Sequence, residues 1–167
     1  MIQVYTGSGK GKTTAALGLA LRAAGAGKRV FLLQFLKCGS SSELSLLRRL
    51  PGVTVRCFGS GKWVKEGPAP RERELAGRGF AYAKKVIAGR KCDMLILDEI
   101  NPAMAYRLLE AKDVCAALFA APAEMEIVLT GRCAIAPVKR IAHLVSEVRE
   151  VRHYFKQGVK ARKGIEF

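Results

Sequence analysis

An α/β fold is predicted for this sequence, a mostly parallel sheet with helices on both faces. Three observations predict it. Short apolar runs alternate along the chain with longer stretches of helical spacing. The run Val30–Phe35 is continuously apolar, as a strand covered on both faces must be. The first run also opens onto a loop of glycine and lysine and then an Ala/Leu-rich stretch, the strand–loop–helix order of a phosphate-binding unit.

Each element follows from local chemistry. Residues 2–5 (Ile-Gln-Val-Tyr) read as a strand, and residues 15–26 as a helix closed by Gly25 and Gly27. Val30–Phe35 is an apolar strand. Ser42 and Glu43 open a short helix that runs through Leu50, where Pro51-Gly52 stops it. Val53–Phe58 is a third strand, followed by a loop rich in Gly, Lys and Pro over 59–70. Residues 71–88 form a long helix and 93–97 a buried strand. Asp113 caps a helix through Ala121, and residues 126–129 form the last strand. Strands alternating with helices imply right-handed crossovers, and ligands in such sheets gather at the carboxyl ends of the strands.

Size and composition narrow the function. The 167 residues suit one nucleotide-binding domain over 1–167 with a core of its own. No apolar run approaches the roughly 18 residues that a bilayer span needs, and Met1 leads straight into the first strand, so neither membrane segment nor signal peptide is expected. Five cysteines, at 38, 57, 92, 115 and 133, form no Cys-x-x-Cys pair. They read as reduced thiols of a cytoplasmic protein. A net charge of +15, from 29 basic and 14 acidic residues, attracts polyanions. The basic residues are nevertheless spread along most of the chain and aromatics are few, which favours general anion attraction over a nucleic-acid interface.

Chemistry concentrates at three strand ends. After the first strand comes Thr6-Gly7-Ser8-Gly9-Lys10-Gly11-Lys12-Thr13-Thr14. Glycines let backbone N–H groups turn toward phosphate oxygens, and the helix start adds partial positive charge. Lys12 reaches the outer phosphates and the Thr13 hydroxyl ligates Mg²⁺. The general Gly-x4-Gly-Lys-Thr pattern wants glycine at Thr6, but here it stands at Gly7, so the loop is one residue short and carries an extra lysine, Lys10. Such a loop predicts a P-loop NTPase-like, RecA-like sheet. Asp98 and Glu99 end the strand of 93–97, where a P-loop protein holds its Mg²⁺. Thr130-Gly131-Arg132 ends the last strand and aims a guanidinium at phosphate or carboxylate. Trp63, the one tryptophan, covers an apolar surface, either a ligand or the protein's own core edge. His143 and His153 pair with no nucleophile and read as structural or surface residues.

Taken together these segments resemble the P-loop type of ATP:corrinoid adenosyltransferase. The matching pieces are Gly7 to Thr14, Leu97-Asp98-Glu99-Ile100-Asn101, Val128-Leu129-Thr130-Gly131-Arg132, Val145-Ser146-Glu147, His153, and the tail from Gly158 to Phe167. The likeness covers nearly the whole chain in order, and the tail is its most specific part. Cys133 and His143 depart from it, standing where the family often has Asn and Asp, and so does a chain that starts at the first strand without a covering N-terminal segment.

The resemblance implies a reaction in which the cobalt(I) of a corrinoid attacks C5′ of ATP and triphosphate leaves. It implies catalytic roles for Lys12, Thr13, Glu99 and Arg132. ATP is held by Gly7, Ser8, Gly9, Lys10, Gly11, Lys12, Thr13 and Thr14 in a sense reversed from ordinary P-loop ATPases. Mg²⁺ is held by Thr13, Asp98 and Glu99, and Phe58 and Trp63 face the corrinoid, excluding its lower axial ligand. A homodimer and a reducing partner such as a flavoprotein also follow from it. Two further readings stay open beside it: a nucleic-acid-dependent P-loop ATPase, motivated by the charge, and a nucleotide-binding regulatory module without turnover.

Overall fold

The computed structural model describes residues 1–37, 41–61 and 70–167. Six strands among them form one sheet: β1 (Ile2–Thr6), β2 (Val30–Phe35), β3 (Val53–Phe58), β4 (Met94–Asp98), β5 (Glu126–Thr130) and β6 (Leu144–Glu147). Their spatial order is β3-β2-β4-β5-β1-β6, and every neighbouring pair is parallel. The connections carry α1 (Lys12–Gly25), α2 (Ser42–Leu47), α3 (Pro70–Ala88), α4 (Ile100–Ala105), α5 (Ala111–Phe119) and α6 (Ala136–Ile141). A 3₁₀ turn follows at Tyr154–Gln157.

Period-two alternation explains the two faces. Val30 and Leu32 of β2, with Met94 and Ile96 of β4, point to one side and pack with Ala16, Ala20 and Ala23 of α1 and Leu44 and Leu47 of α2. Leu33 and Phe35, with Leu95, Leu97, Ile127 and Leu129, point to the other, against Ala76, Phe80, Ala83 and Ile87 of α3 and against α4 and α5. Strands buried on both faces thus account for the unbroken apolar runs. Small residues on α1 let that helix lie close to the sheet.

Several boundaries differ from expectation. α1 begins at Lys12 rather than at residue 15, because Gly11 turns the chain at φ 118° directly into the helix. Pro70, placed in the preceding loop by sequence, opens α3, where its missing N–H costs nothing. The N-cap of α5 is Glu110, and Asp113 lies in the first turn instead. Thr6, Asp98 and Thr130 each belong to the strand that precedes them. Three short elements, α4, α6 and β6, carry no sequence signal that announced them.

Both histidines are structural. His143 Nδ1 accepts the Ile2 N–H at 3.0 Å and its own N–H donates to Ile2 O at 2.8 Å, so the residue ties the entry of β6 to β1. His153 Nδ1 accepts the Phe155 N–H and caps the 3₁₀ turn. Burial pushes the Cys92 thiol up to about 11, which keeps it protonated and inert.

Candidate functional site

The phosphate loop joins β1 to α1 at the carboxyl end of the sheet. Gly7 has φ 100° and Gly11 φ 118°, conformations that only glycine adopts without strain. A Cβ on Gly7 would also lie 2.4 Å from Val148 O, so the backbone after β6 runs directly against the loop. Two hydrogen bonds fix that contact: Gly9 N–H donates to Val148 O and Val148 N–H to Thr6 O, both at 2.8 Å. α1 has no side-chain cap and no acidic residue in its first turn, leaving its N-terminal amides for an anion.

Lys12, the first residue of α1, is 8% exposed. Its ammonium spans the loop from below, donating to Gly7 O and Gly9 O at 2.7 Å each. That uses two of its three donors. Burial depresses its pKa, with Arg132 and Lys37 adding to the effect while Glu99 and Asp98 oppose it. Thr13, one residue on, donates its hydroxyl to Asp98 Oδ1 at 2.9 Å. Thr14 is exposed on α1.

Asp98 is fully buried and fully used. Its Oδ1 also accepts from the Thr130 hydroxyl at 2.5 Å, and its Oδ2 from Gln34 Nε2 at 3.0 Å. The β2–β4 register places Gln34 directly beside it. Glu99 follows in the left-handed region at φ 61°, with its N–H donating to Thr130 Oγ1. Gly131 is required here: at φ 125°, a Cβ would meet Pro102 Cδ at 2.3 Å. Asn101 holds the same turn, donating from Nδ2 to Gly131 O at 3.4 Å, while its buried Oδ1 has no partner among the described residues.

A cation already sits among these oxygens. Lys37 Nζ lies 3.1 Å from Glu99 Oε1, 3.4 Å from Thr13 Oγ1 and 3.5 Å from Asp98 Oδ2. Burial opposes its charge most strongly, but Asp98 and Glu99 together outweigh it and raise its pKa. Hydroxyl and carboxylate oxygens converging on a positive charge are the hard donor set that suits Mg²⁺. No cluster of three or more His, Cys, Asp or Glu side chains occurs among the described residues.

The other expected residues lie around this centre. Arg132 is exposed and lines a cavity of about 470 Å³ with Thr6, Gly7, Ser8 and Cys133, so it reaches the mouth of the loop. Lys10 turns to the C-terminal segment, donating to Tyr154 OH at 2.7 Å and Glu166 Oε1 at 2.6 Å. The Phe58 ring is half-buried between Phe35 and Tyr82, with centroids 6.4 and 5.9 Å away. Trp63 lies outside the described residues. Sequence reasoning missed Gln34 and Lys37, and gave Thr130 no role beyond its place at the strand end. Only Gln34 left a signal, as the one polar residue in the apolar run Val30–Phe35.

Fold and loop define an α/β protein of P-loop NTPase-like architecture, with a glycine-rich loop, its lysine and a carboxylate pair at one end of a parallel sheet. A model of the family described as ATP:corrinoid adenosyltransferase BtuR/CobO/CobP matches residues 1–167. The corrinoid adenosyltransferase of Escherichia coli K12 is 38% identical over 171 residues, covering 100% of this chain and 85% of the relative. Corrinoid adenosyltransferase CobA of Salmonella typhimurium LT2 gives the same figures. The corrinoid adenosyltransferase of Pseudomonas aeruginosa is 36% identical over 172 residues, with 100% and 83% covered. The chain belongs to the ATP:corrinoid adenosyltransferase family.

Proposed function

We propose that this chain transfers the 5′-deoxyadenosyl group of ATP to the cobalt(I) of a corrinoid, releasing triphosphate, in the making or salvage of adenosylcobalamin. The observation that carries the reading is the meeting of Lys12, Thr13, Asp98 and Glu99 at one sheet end in a chain matched throughout by the family. Cobalt(I) supplies the electron pair that forms the Co–C5′ bond. The C5′–O bond breaks, its pair leaves on triphosphate, and cobalt rises formally to cobalt(III). No protein base is needed for that displacement. What the protein supplies is in-line placement and stabilisation of a leaving group of high charge.

Each residue's part follows. Loop amides from Gly7 to Thr14, with Lys10 and Lys12, hold the triphosphate. Thr13, Asp98 and Glu99 hold Mg²⁺, which neutralises phosphate charge when bound. Arg132 meets the phosphates from the far side of the loop. Phe58 and Trp63 border the corrinoid. Residues 1–167 act as one catalytic unit, as a homodimer in the cytoplasm, and a reducing partner such as a flavoprotein delivers the corrinoid as cobalt(I).

Anaerobic incubation with MgATP and chemically reduced cob(I)alamin tests the reading. The expected result is a photolabile adenosylcorrinoid, seen in the visible spectrum, with one triphosphate per turnover. Lys12→Ala is expected to abolish it with the fold retained. Orthophosphate release stimulated by DNA or RNA, with no adenosylation of cobalamin or cobinamide, would make the chain a nucleic-acid-dependent ATPase instead. ATP binding with no product at all would make it a regulatory module.

A further inference from the structure

Residues 148–167 run back from β6 over the outside of the phosphate loop. They touch it first at Gly9, whose N–H donates to Val148 O, and reach α2 at the far end, where Ser42 Oγ donates to Phe167 O at 3.2 Å. Between these anchors lies a cluster of four side chains. Lys10 donates to Tyr154 OH and Glu166 Oε1, Tyr154 OH also bonds Glu166, and Arg162 N–H donates to Glu166 Oε2 at 2.7 Å. The Arg162 guanidinium stands 4.9 Å from the Tyr154 ring centroid. Contacts with Lys10, Tyr154 and Arg162 hold the Glu166 carboxyl far below the usual carboxylate range.

The two loop lysines are held differently. Lys12 is tied to the loop's own carbonyls at Gly7 and Gly9, so its place comes with the loop. Lys10 takes its partners from 144 and 156 residues away, both from the tail. A tail carboxylate that merely plugged the loop would pair with Lys12 or the loop amides. Glu166 does neither. The cluster of Lys10, Arg162 and Glu166 also keeps a net positive charge, and Lys10 has used two of its three donors.

We propose that Glu166 is a positioning residue: with Tyr154 it holds the Lys10 ammonium at the rim of the phosphate loop, where the remaining N–H meets the triphosphate of bound ATP. The proposal rests on the nucleotide site assigned above. It gives the C-terminal segment a part in substrate binding, through Lys10 rather than by contact with the reacting atoms. Fixing a long, flexible lysine before the ligand arrives removes an ordering cost from binding.

The test is calorimetric titration of the full chain with MgATP in four forms: wild type, Glu166→Gln, Lys10→Ala and the double variant. Glu166→Gln keeps the shape and an acceptor but loses the charge. Its affinity is expected to fall about three-fold, with KM for ATP rising in parallel and kcat little moved. In the Lys10→Ala background the same substitution is expected to change nothing, because the partner is gone. Unchanged or tighter binding by Glu166→Gln would overturn the proposal, as would an equal loss in both backgrounds. A wild-type chain that binds no MgATP would instead overturn the nucleotide site, and the positioning role with it.

Discussion

Cys133 holds the left-handed conformation at φ 58°, exposed on the turn after Arg132. Most side chains with a Cβ are strained in that region, whereas asparagine offsets the strain by local hydrogen bonding. Cys133→Asn is therefore expected to stabilise the fold by about 0.5 kcal/mol, read as a raised denaturant midpoint at unchanged slope. A lowered midpoint would refute the strain argument. At the opposite end of the sheet, Asp93 accepts from Arg29 N–H at 2.8 Å and from its guanidinium at 2.9 Å, joining the starts of β2 and β4. Those contacts hold the Asp93 carboxyl at about 2, below its ordinary 3.8. Because the folded value is the depressed one, the stabilisation is present above about pH 4 and is lost as pH falls through 2. Asp93→Asn should lower the urea midpoint at neutral pH, and the gap to wild type should close between pH 4 and 2. A gap that stays constant would mean the charge contributes nothing.

Elements register packing that no single residue reveals. Gly79 sits in the middle of α3, where alanine would normally favour the helix by about 1 kcal/mol. Here a Cβ would stand 2.8 Å from Phe58 Cγ and 2.9 Å from Phe58 Cβ and Phe35 Cε1, atoms held by the sheet. Overpacking of this kind costs about 1–3 kcal/mol, so Gly79→Ala is expected to lose about 1 kcal/mol net in chemical denaturation. A gain would show that α3 shifts freely on the sheet. The same scale explains what could be read in advance. β2 and β3 matched residue for residue: the apolar run of β2 starts after the charged Arg29, and β3 is bounded by Gly52 and Gly59. β6 stayed hidden, since its four residues are all exposed and its pairing comes from β1 alone. α4 and α6 are six residues each and contain Pro102 and Pro137, which read as breaks. At the site, Lys12, Thr13 and the Asp98-Glu99 pair follow from local motifs. Lys37, Thr130 and Glu166 do not, because only the sheet order and the returning tail bring them near.

Electrostatics belongs to the molecule as a whole. The chain carries a net +15, yet its cations are unevenly matched with acids at the working end. Lys10, Lys12, Lys37 and Arg132 surround the loop; Glu166 pairs with Lys10, while Asp98 and Glu99 both pair with Lys37. An anionic nucleotide approaching this end of the sheet would therefore be attracted both by the global charge and by the cations around the loop. Attraction over that range is screened, since the Debye length falls from about 10 Å at 0.1 M salt to about 3 Å at 1 M. Contacts within the buried Asp98 network are screened much less. KM for MgATP should consequently rise several-fold between about 0.1 M and 1 M salt, with kcat nearly constant, in steady-state adenosylation assays run in a chloride series. If kcat fell in step while KM stood still, the charge would be serving the transition state and not capture. Adding single- or double-stranded oligonucleotide to the same assay should compete weakly with MgATP at low salt and stimulate no orthophosphate release, the outcome expected if the net +15 serves substrate capture. Stimulated release would transfer the meaning of the +15 from substrate capture to nucleic acid.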